Sequence, residues 1–347
     1  MPVFIIATAR TPIGSFGGSL KSLSSSFLAA RAIEETLRIA GVPPSQIRET
    51  ILGCAIPAGC GGNPAHAAGQ LAGVLAPAFT ISMREGSGLK ALMLGAQSLA
   101  GDVSEFVLVG GAESSTQTPF LVPEGRWGTR IGSMEILDGL LVDGPYGCPA
   151  SSDIDLEAQS AWVQLSQHRM KEAQAARQRE CFPLIWEGKR GALELRTDEI
   201  PEPTNIAFRS HYATPADGAA MVLMSTFPSQ CPRARLLGYV ASAYGLKAAI
   251  NQLLLQTELS FESVDRWEIH EASAALILGS LGEMPELNPA TLNARGGALA
   301  LGDPCGASGT RMLISLLHTL EDEGLSTGIV AVSMGQGLAL AMAISRS

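Results

Sequence analysis

Positive charge is scarce in this chain: 24 Lys and Arg stand against 33 Asp and Glu, a net charge of −9 over 347 residues. Nucleic acid demands a basic footprint, so no role on DNA or RNA is expected. An unbroken apolar run is also missing. The most apolar stretch, Ile329 to Ile344, is cut by Ser333, Gly335, Gln336 and Gly337. It reads as two buried strands around a turn, not as a span of ~20 lipid-facing residues, and no membrane association is expected. No C-x-x-C pair occurs among Cys54, Cys60, Cys148, Cys181, Cys231 and Cys305. They are expected to be free thiols in a reducing cytoplasm. Met1-Pro2-Val3 runs directly into a strand-like Phe4-Ile5-Ile6, so no secretory leader is expected either. His270-Glu271 lacks the second His of a zinc helix, and no metal is expected.

What remains is apolar and turn-rich: 46% hydrophobic residues with 38 Gly and 20 Pro. That is enough to fill the cores of about two ordinary domains. The first third alternates strand-like and helix-like segments: Val3–Ala9, Ser24–Ala40, Thr50–Ala55, Ala65–Leu75, Ala78–Met83, Ser87–Ala100 and Phe106–Gly111. The last third repeats the pattern from Arg235–Val240 to Leu338–Ile344. Such alternation predicts a mostly parallel sheet covered on both faces. The Ser87 helix is apolar almost all round, which predicts burial between two sheets.

Ser87-Gly88-Leu89-Lys90-Ala91-Leu92 and Ser308-Gly309-Thr310-Arg311-Met312-Leu313 share the pattern S-G-x-[basic]-x-Leu, and both open a long apolar helix. We read this as an internal duplication of one β-α module. The middle, about 114 to 212, lacks strand periodicity and holds one amphipathic helix near Leu156–Glu180. It is an excursion from the first module, and Ala219–Ser225 returns to the sheet.

Gly86-Ser87-Gly88-Leu89-Lys90-Ala91, with Glu113 some way on, also fits a dinucleotide fingerprint. Glu85 at the helix head would repel a pyrophosphate, and close helix packing explains the glycines equally well, so this is the minor reading.

A longer set of motifs runs in order through the chain. It comprises Ala9-Arg10-Thr11-Pro12-Ile13-Gly14, Gly62-Asn63-Pro64-Ala65, Gly86-Ser87-Gly88, Gly110-Gly111-Ala112-Glu113-Ser114, Asp217-Gly218-Ala219-Ala220, Gly296-Gly297-Ala298 and Gly306-Ala307-Ser308-Gly309. Together they resemble the thiolase family, nearest its biosynthetic acetyl-CoA acetyltransferase branch. The resemblance implies an α/β fold of five layers, α-β-α-β-α, built from two duplicated modules and a reduced loop domain. The expected division is 1–113, 114–212, 213–233 as a return strand of the first module, and 234–347. Arg126-Trp127-Gly128-Thr129-Arg130-Ile131-Gly132 resembles the branch's assembly loop, which implies a homodimer or tetramer.

The family's chemistry rests on a thiolate at a helix N-terminus, an activating His and a second Cys. The corresponding positions here hold Glu85, Asp303 and Ala331, while His270 stands in the Asn-Glu-Ala-Phe motif, here His270-Glu271-Ala272-Ser273. The remaining oxyanion donors implied by the resemblance are the backbone N–H groups of Glu85 and Ser333. Glu202 falls where the family places an Arg against a CoA phosphate, so CoA thioester binding is expected to be weak. Cys305 reads as a small buried filler, and His66, His168, His211 and His318 have no assigned role.

The leading expectation is therefore a relative that has lost the chemistry: a non-catalytic subunit, with an active thiolase as a conceivable partner, or a ligand-binding protein. The second is an acyl-CoA acyltransferase or decarboxylase with altered chemistry at Glu85, His270 and Asp303. Those carboxylates are expected to face each other, with Asp303 holding a proton because the helix N-terminus favours charge on Glu85.

Overall fold

A computed structural model describes residues 1–101, 106–144, 154–189, 191–201, 211–227 and 232–346. Nine strands lie side by side in one mixed sheet, and a tenth, Gly14–Ser15, pairs beside Ala216–Ser225. Across the sheet the order is Arg266–Ile269, Thr327–Ser333, Ala339–Arg346, Ala234–Ser242, Val3–Arg10, Ala216–Ser225, Phe106–Ser114, Ile47–Gly53 and Ala78–Ile81. The first-half and second-half strands meet at one seam, where Val3, Phe4 and Ile5 pair with Leu236, Arg235 and Ala234.

Three apolar cores define the layers. One face of the N-terminal strands packs against helices Ser25–Ala40 and Pro64–Leu71 through Leu28, Ile33, Ala68, Leu52 and Met221. One face of the C-terminal strands packs against Leu246–Thr257 and Ala274–Glu283 through Ile250, Leu253, Ile277, Trp267 and Ile329. Between the two halves lie helices Ser87–Gly101 and Ser308–Glu323, contributing Leu89, Leu92, Met312 and Leu316. Those side chains pack against Val107 and Val222 on one side and Val330 and Leu340 on the other. The result is the five-layer α/β arrangement read from the sequence, but the sheet is not mostly parallel: in it only Ile47–Gly53 with its two neighbours and Arg266–Ile269 with Thr327–Ser333 pair in parallel.

Local chemistry places the helix ends. Ser24 caps the Ser25 helix by accepting the Phe27 N–H at 3.2 Å, and Gly41 ends it in the left-handed region at φ 66°. Asn63 caps the next helix, with Pro64 in its first turn. The two central helices cross at their first turns. A Cβ on Gly88 would lie 2.7 Å from the Gly306 carbonyl oxygen, and one on Gly309 would lie 2.7 Å from Leu89 Cβ. Close packing is thus what the duplicated Ser-Gly pair provides.

The middle of the chain corrects one expectation, because it does hold strands. Phe120–Leu121 pairs with Leu137–Asp138, and Leu184–Gly188 pairs with Gly191–Leu195. Each pairing is short, and in the second only Leu184 and Trp186 are buried, too few residues to make a clear alternating pattern. The amphipathic helix is Leu156–Glu172, followed by Gln174–Gln178. No helix among the described residues is long and apolar enough to cross a membrane. Cys54, Cys60, Cys181 and Cys305 are free thiols; Cys148 and Cys231 fall outside the described residues.

Candidate active site

Glu85 is presented by a turn in which Arg84 adopts φ 50°. A non-glycine residue in the left-handed region stores strain, and such positions concentrate at functional sites. The turn is tied down by the Ser87 hydroxyl, which donates to the Arg84 carbonyl at 2.6 Å and accepts the Met83 N–H at 2.8 Å. The Glu85 side chain is buried at the head of the central helix, 3.8 Å from the Arg84 guanidinium.

His270 follows the strand Arg266–Ile269, and its N–H donates to the Ala331 carbonyl at 3.0 Å. Its Nε2 lies 3.3 Å from Asp303 Oδ2 as a fully buried ion pair. Asp303 is fixed from three directions. Its N–H donates to the Thr214 carbonyl at 2.7 Å, its carbonyl accepts from Ala216 at 3.0 Å, and the Ser308 hydroxyl donates to Oδ1 at 2.5 Å.

The structure thus brings Glu85, His270 and Asp303 together, but not as the sequence suggested. His270 interacts with both carboxylates and favours the charged form of each. Burial opposes charge on Asp303, yet His270 and the Ser308 hydroxyl outweigh it and hold the carboxyl below its ordinary range. Burial pushes Glu85 upward, His270 opposes this, and Asp303 reinforces it, leaving Glu85 raised. Of the two carboxyls, Glu85 is therefore the one whose proton affinity is raised and Asp303 the one whose proton affinity is lowered, the reverse of the expected order. His270 itself is pushed down by burial but raised on balance by Asp303 and Glu85.

Three buried polar atoms at this centre lack a hydrogen bond: Glu85 Oε2, His270 Nδ1 and His270 Nε2, the last still 3.3 Å from Asp303 Oδ2. Ala331 adds no polar atom, and its methyl packs in the C-terminal core with Ile269 and Ala341. Ser333 pairs with Ala339, while the next residue, Met334, donates to Leu338 at 2.9 Å. By the alternation of an antiparallel ladder, the Ser333 N–H is therefore directed away from that strand. The Glu85 N–H is a partner of its own carboxylate. Cys305 is fully buried, and burial beside Asp303 and Glu85 pushes its thiol well above the ordinary range, so it is protonated at neutral pH.

Glu113 does not face a ribose. It is buried, with Oε2 accepting the N–H groups of Ala55 at 2.7 Å and Gly306 at 2.9 Å, so it staples the Asp303 loop to the neighbouring strand end. Ser308 and the Arg84 turn were not singled out from sequence. The Ser-Gly repeat marked Ser308 only as a helix opener, and a backbone angle leaves no mark in composition. Glu202 lies outside the described residues, though Asp198 just before it pairs with Arg10 at 2.7 Å and Arg177 at 3.1 Å. No group of His, Cys, Asp and Glu among the described residues is arranged to hold a metal ion.

A buried catalytic-type triad at the head of a helix between two halves of a mixed sheet defines a class of α/β protein, and comparison supplies the family. Residues 3–226 match the N-terminal domain of thiolase and 240–346 match the C-terminal domain. The chain belongs to the thiolase family. The mouse protein "Acetyl-CoA acetyltransferase, cytosolic" (Mus musculus) is 36% identical, covering 99% of this chain and 98% of its own length. "Probable acetyl-CoA acyltransferase" of Staphylococcus aureus (strain N315) is 33% identical, with 99% of each chain covered. The crystal structure of the Bacillus anthracis acetyl-CoA acetyltransferase superposes with a TM-score of 0.92 at 28% identity, covering 100% of this chain and 99% of that one.

These findings overturn the expectation of a non-catalytic relative. The similarity to proteins named for acetyl and acyl transfer runs the full length of both chains. In addition, the place where the chemistry was expected to be lost holds a dense set of buried ionisable groups.

Proposed function

We propose that the protein transfers acyl groups between CoA thioesters, the acetyl-CoA acetyltransferase class of reaction, at a centre formed by Glu85, His270 and Asp303. The observation that carries this reading is the set of orphaned atoms, Glu85 Oε2 and His270 Nδ1 and Nε2, buried together at a strained helix head. The substrate class is taken from the names of the relatives.

The three positions of the family's thiolate, activating His and second Cys hold Glu85, Asp303 and Ala331. No acyl-cysteine forms there, so the acyl group passes directly between two thioesters. His270, whose proton affinity Asp303 raises, hydrogen-bonds the oxygen of one acyl thioester and stabilises its enolate. Glu85 in its ionised form removes the α-proton; its raised pKa makes it a stronger base than a solvated carboxylate. The enolate carbon attacks the second thioester carbonyl, the carbon–sulfur bond breaks, and the CoA thiolate takes the proton from Glu85. The net change is two acyl thioesters to one β-ketoacyl thioester and one free CoA, and thiolysis is the reverse. The loop domain, 114–212, carries the nucleotide end of CoA, and modules 1–113 and 234–347 supply the reacting groups.

The test is acetoacetyl-CoA thiolysis and acetyl-CoA condensation by purified protein, followed by chromatographic separation of the thioesters. Turnover is expected, with Glu85→Gln and His270→Asn each lowering it by roughly 10²–10⁴-fold. Turnover below about 10⁻³ s⁻¹ in both directions, far under the usual enzyme range, overturns the reading.

A further inference from the structure

Arg84 and Glu85 are consecutive, yet their charged groups meet. In a regular helix neighbouring side chains splay apart, because only residues three or four apart share a face. Arg84 lies just before the helix Ser87–Gly101, in the left-handed region at φ 50°. Its Nε comes within 3.8 Å of Glu85 Oε2. That is too long for a hydrogen bond and short enough for a direct interaction of charges. The same guanidinium reaches the segment after the short helix Gly139–Val142, where Nη2 donates to the Gly144 carbonyl at 3.5 Å.

The two side chains differ in their access to water: 5% of Glu85 is exposed and 32% of Arg84. The cation is therefore on the solvent side of the pair. The other titratable groups around Glu85 come from elsewhere in the chain. They are His270 after the strand Arg266–Ile269, and Asp303 and Cys305 before the helix Ser308–Glu323. Burial and Asp303 oppose a negative charge on Glu85, and His270 favours it. His270 can lose its own charge, and its Nε2 already lies 3.3 Å from Asp303 Oδ2. A guanidinium keeps its charge at every working pH, so Arg84 is the permanent cation beside Glu85.

We infer that Arg84 is a positioning residue for Glu85, holding the carboxylate in its ionised form at the helix head. Its part rests on the function proposed above, in which ionised Glu85 removes the α-proton. A neutral residue at position 84 would leave Glu85 to burial, Asp303 and the titrating His270, and the carboxyl would keep its proton to higher pH.

The contact acts on both proton transfers. Before the first, it favours the carboxylate that must act as base. When the α-proton moves to Glu85, the carboxyl becomes neutral and the attraction to Arg84 is lost. When the proton moves on to the departing CoA thiolate, the attraction is regained. Arg84 thus favours return of Glu85 to its starting state, and it makes no bond to the reacting atoms.

The experiment titrates Glu85 in the full chain by 13C NMR of carboxyl-labelled Glu, with its resonance assigned by its loss in Glu85→Gln. Arg84→Met keeps a long apolar stem and removes the charge. Arg84→Gly removes the charge too, and glycine takes the left-handed backbone without strain. Both should move the Glu85 midpoint upward by the same amount, and Arg84→Lys should restore most of the difference. In acetoacetyl-CoA thiolysis the two neutral variants should lose roughly 3–10-fold in kcat/KM on the acidic side of the Glu85 midpoint and approach wild type on the alkaline side. A role in the backbone alone would separate Met from Gly in Tm and leave the midpoint where it was. An unmoved midpoint in both neutral variants, or a Lys variant no closer to wild type than Met, overturns the assignment. The titration needs no turnover. A shifted midpoint without acyl transfer upholds the hold of Arg84 on Glu85 and sinks only the proposed function, whereas acyl transfer with an unmoved midpoint sinks the positioning role alone.

Discussion

His270 Nε2 and Asp303 Oδ2 stand 3.3 Å apart in a region closed to solvent, the His from the end of one strand and the Asp from a loop 33 residues further along. The pairing makes Asp303 the standing anion and transfers the protonation problem to Glu85. Asp303→Asn should therefore lower the pKa of His270, because the partner that raises it is gone and the burial that lowers it remains. In the titration of 13C-labelled His the His270 midpoint should move down, and turnover should fall by roughly 10²-fold or more on the high-pH side. An unmoved His270 midpoint refutes the pairing.

Stability should decline as pH rises from mildly acidic to mildly alkaline values. Burial raises Asp217 to about 6, Glu113 to about 7 and Glu268 to about 8. A carboxyl raised in the folded state binds its proton more tightly there than in the unfolded chain. Its contribution is complete below the unfolded value near 4.5 and is lost as pH climbs through the folded one. Glu268→Gln keeps a neutral side chain of the same shape and should flatten the fall in Tm up to about pH 8. Parallel Tm curves for the two proteins would show that Glu268 is ionised or absent from the linkage.

The opposite sign holds at Glu180. Burial raises this carboxyl, but Arg10, Arg177 and Arg295 overcome it and set it near 2, with direct contacts of 3.0 Å to Arg10 and 2.9 Å to Arg295. Its contribution is present above the ordinary carboxylate range and is lost as pH falls toward 2. Glu180→Gln leaves buried guanidinium groups uncompensated and should cost about 3–5 kcal/mol at neutral pH in urea unfolding. A cost under about 1 kcal/mol, the level of a surface pair, would show that the network is not desolvated.

Helix crossing makes a steric prediction. Gly88→Ala should destabilise by about 1–3 kcal/mol, since the new methyl meets the Gly306 carbonyl and Thr310 Oγ1, each at 2.7 Å. Gly101→Ala, in the last turn of the same helix with open space around it, should be neutral or stabilising by up to about 1 kcal/mol. Equal effects from the two would remove close packing as the reason for the Ser-Gly repeat.

The loop 126–132 exposes Trp127 at 84% and Ile131 at 95%, and Phe120 and Ile136 are also exposed. Large apolar side chains this open are the kind that association covers. Replacing both Trp127 and Ile131 by Ser should reduce the particle mass measured by light scattering by about half, with the circular dichroism unchanged. Unchanged mass would show that this loop holds no subunit contact.

The main elements were legible because burial on both faces forces long apolar runs, and capping residues mark their ends. Ser24, Gly41, Asn63 and Gly324 each sit where the local chemistry puts a helix end. Glu85, His270 and Asp303, named together in the sequence, do lie near one another. Their protonation was not legible, because it depends on His270 lying against Asp303, a distance that no spacing encodes. The Leu184–Leu195 hairpin was hidden for another reason: with only five residues a strand, its alternation is too brief to stand out. Glu113 was misleading in sequence because a carboxylate at that offset suits a ribose and a set of backbone N–H groups equally well.

The strand Ala339–Arg346 lies within the sheet, between Thr327–Ser333 and Ala234–Ser242, and its Leu340, Met342 and Ile344 reach the central core. On the ribosome it is made after every other element described. Until it emerges, the inward faces of the Ser87 and Ser308 helices have no complete cover, however well the first half is formed. The nascent chain therefore carries exposed apolar surface until this strand has been made. Its dependence on chaperones should be greatest in that interval, and loss of these few residues should send most of the product to proteolysis rather than to a smaller stable domain.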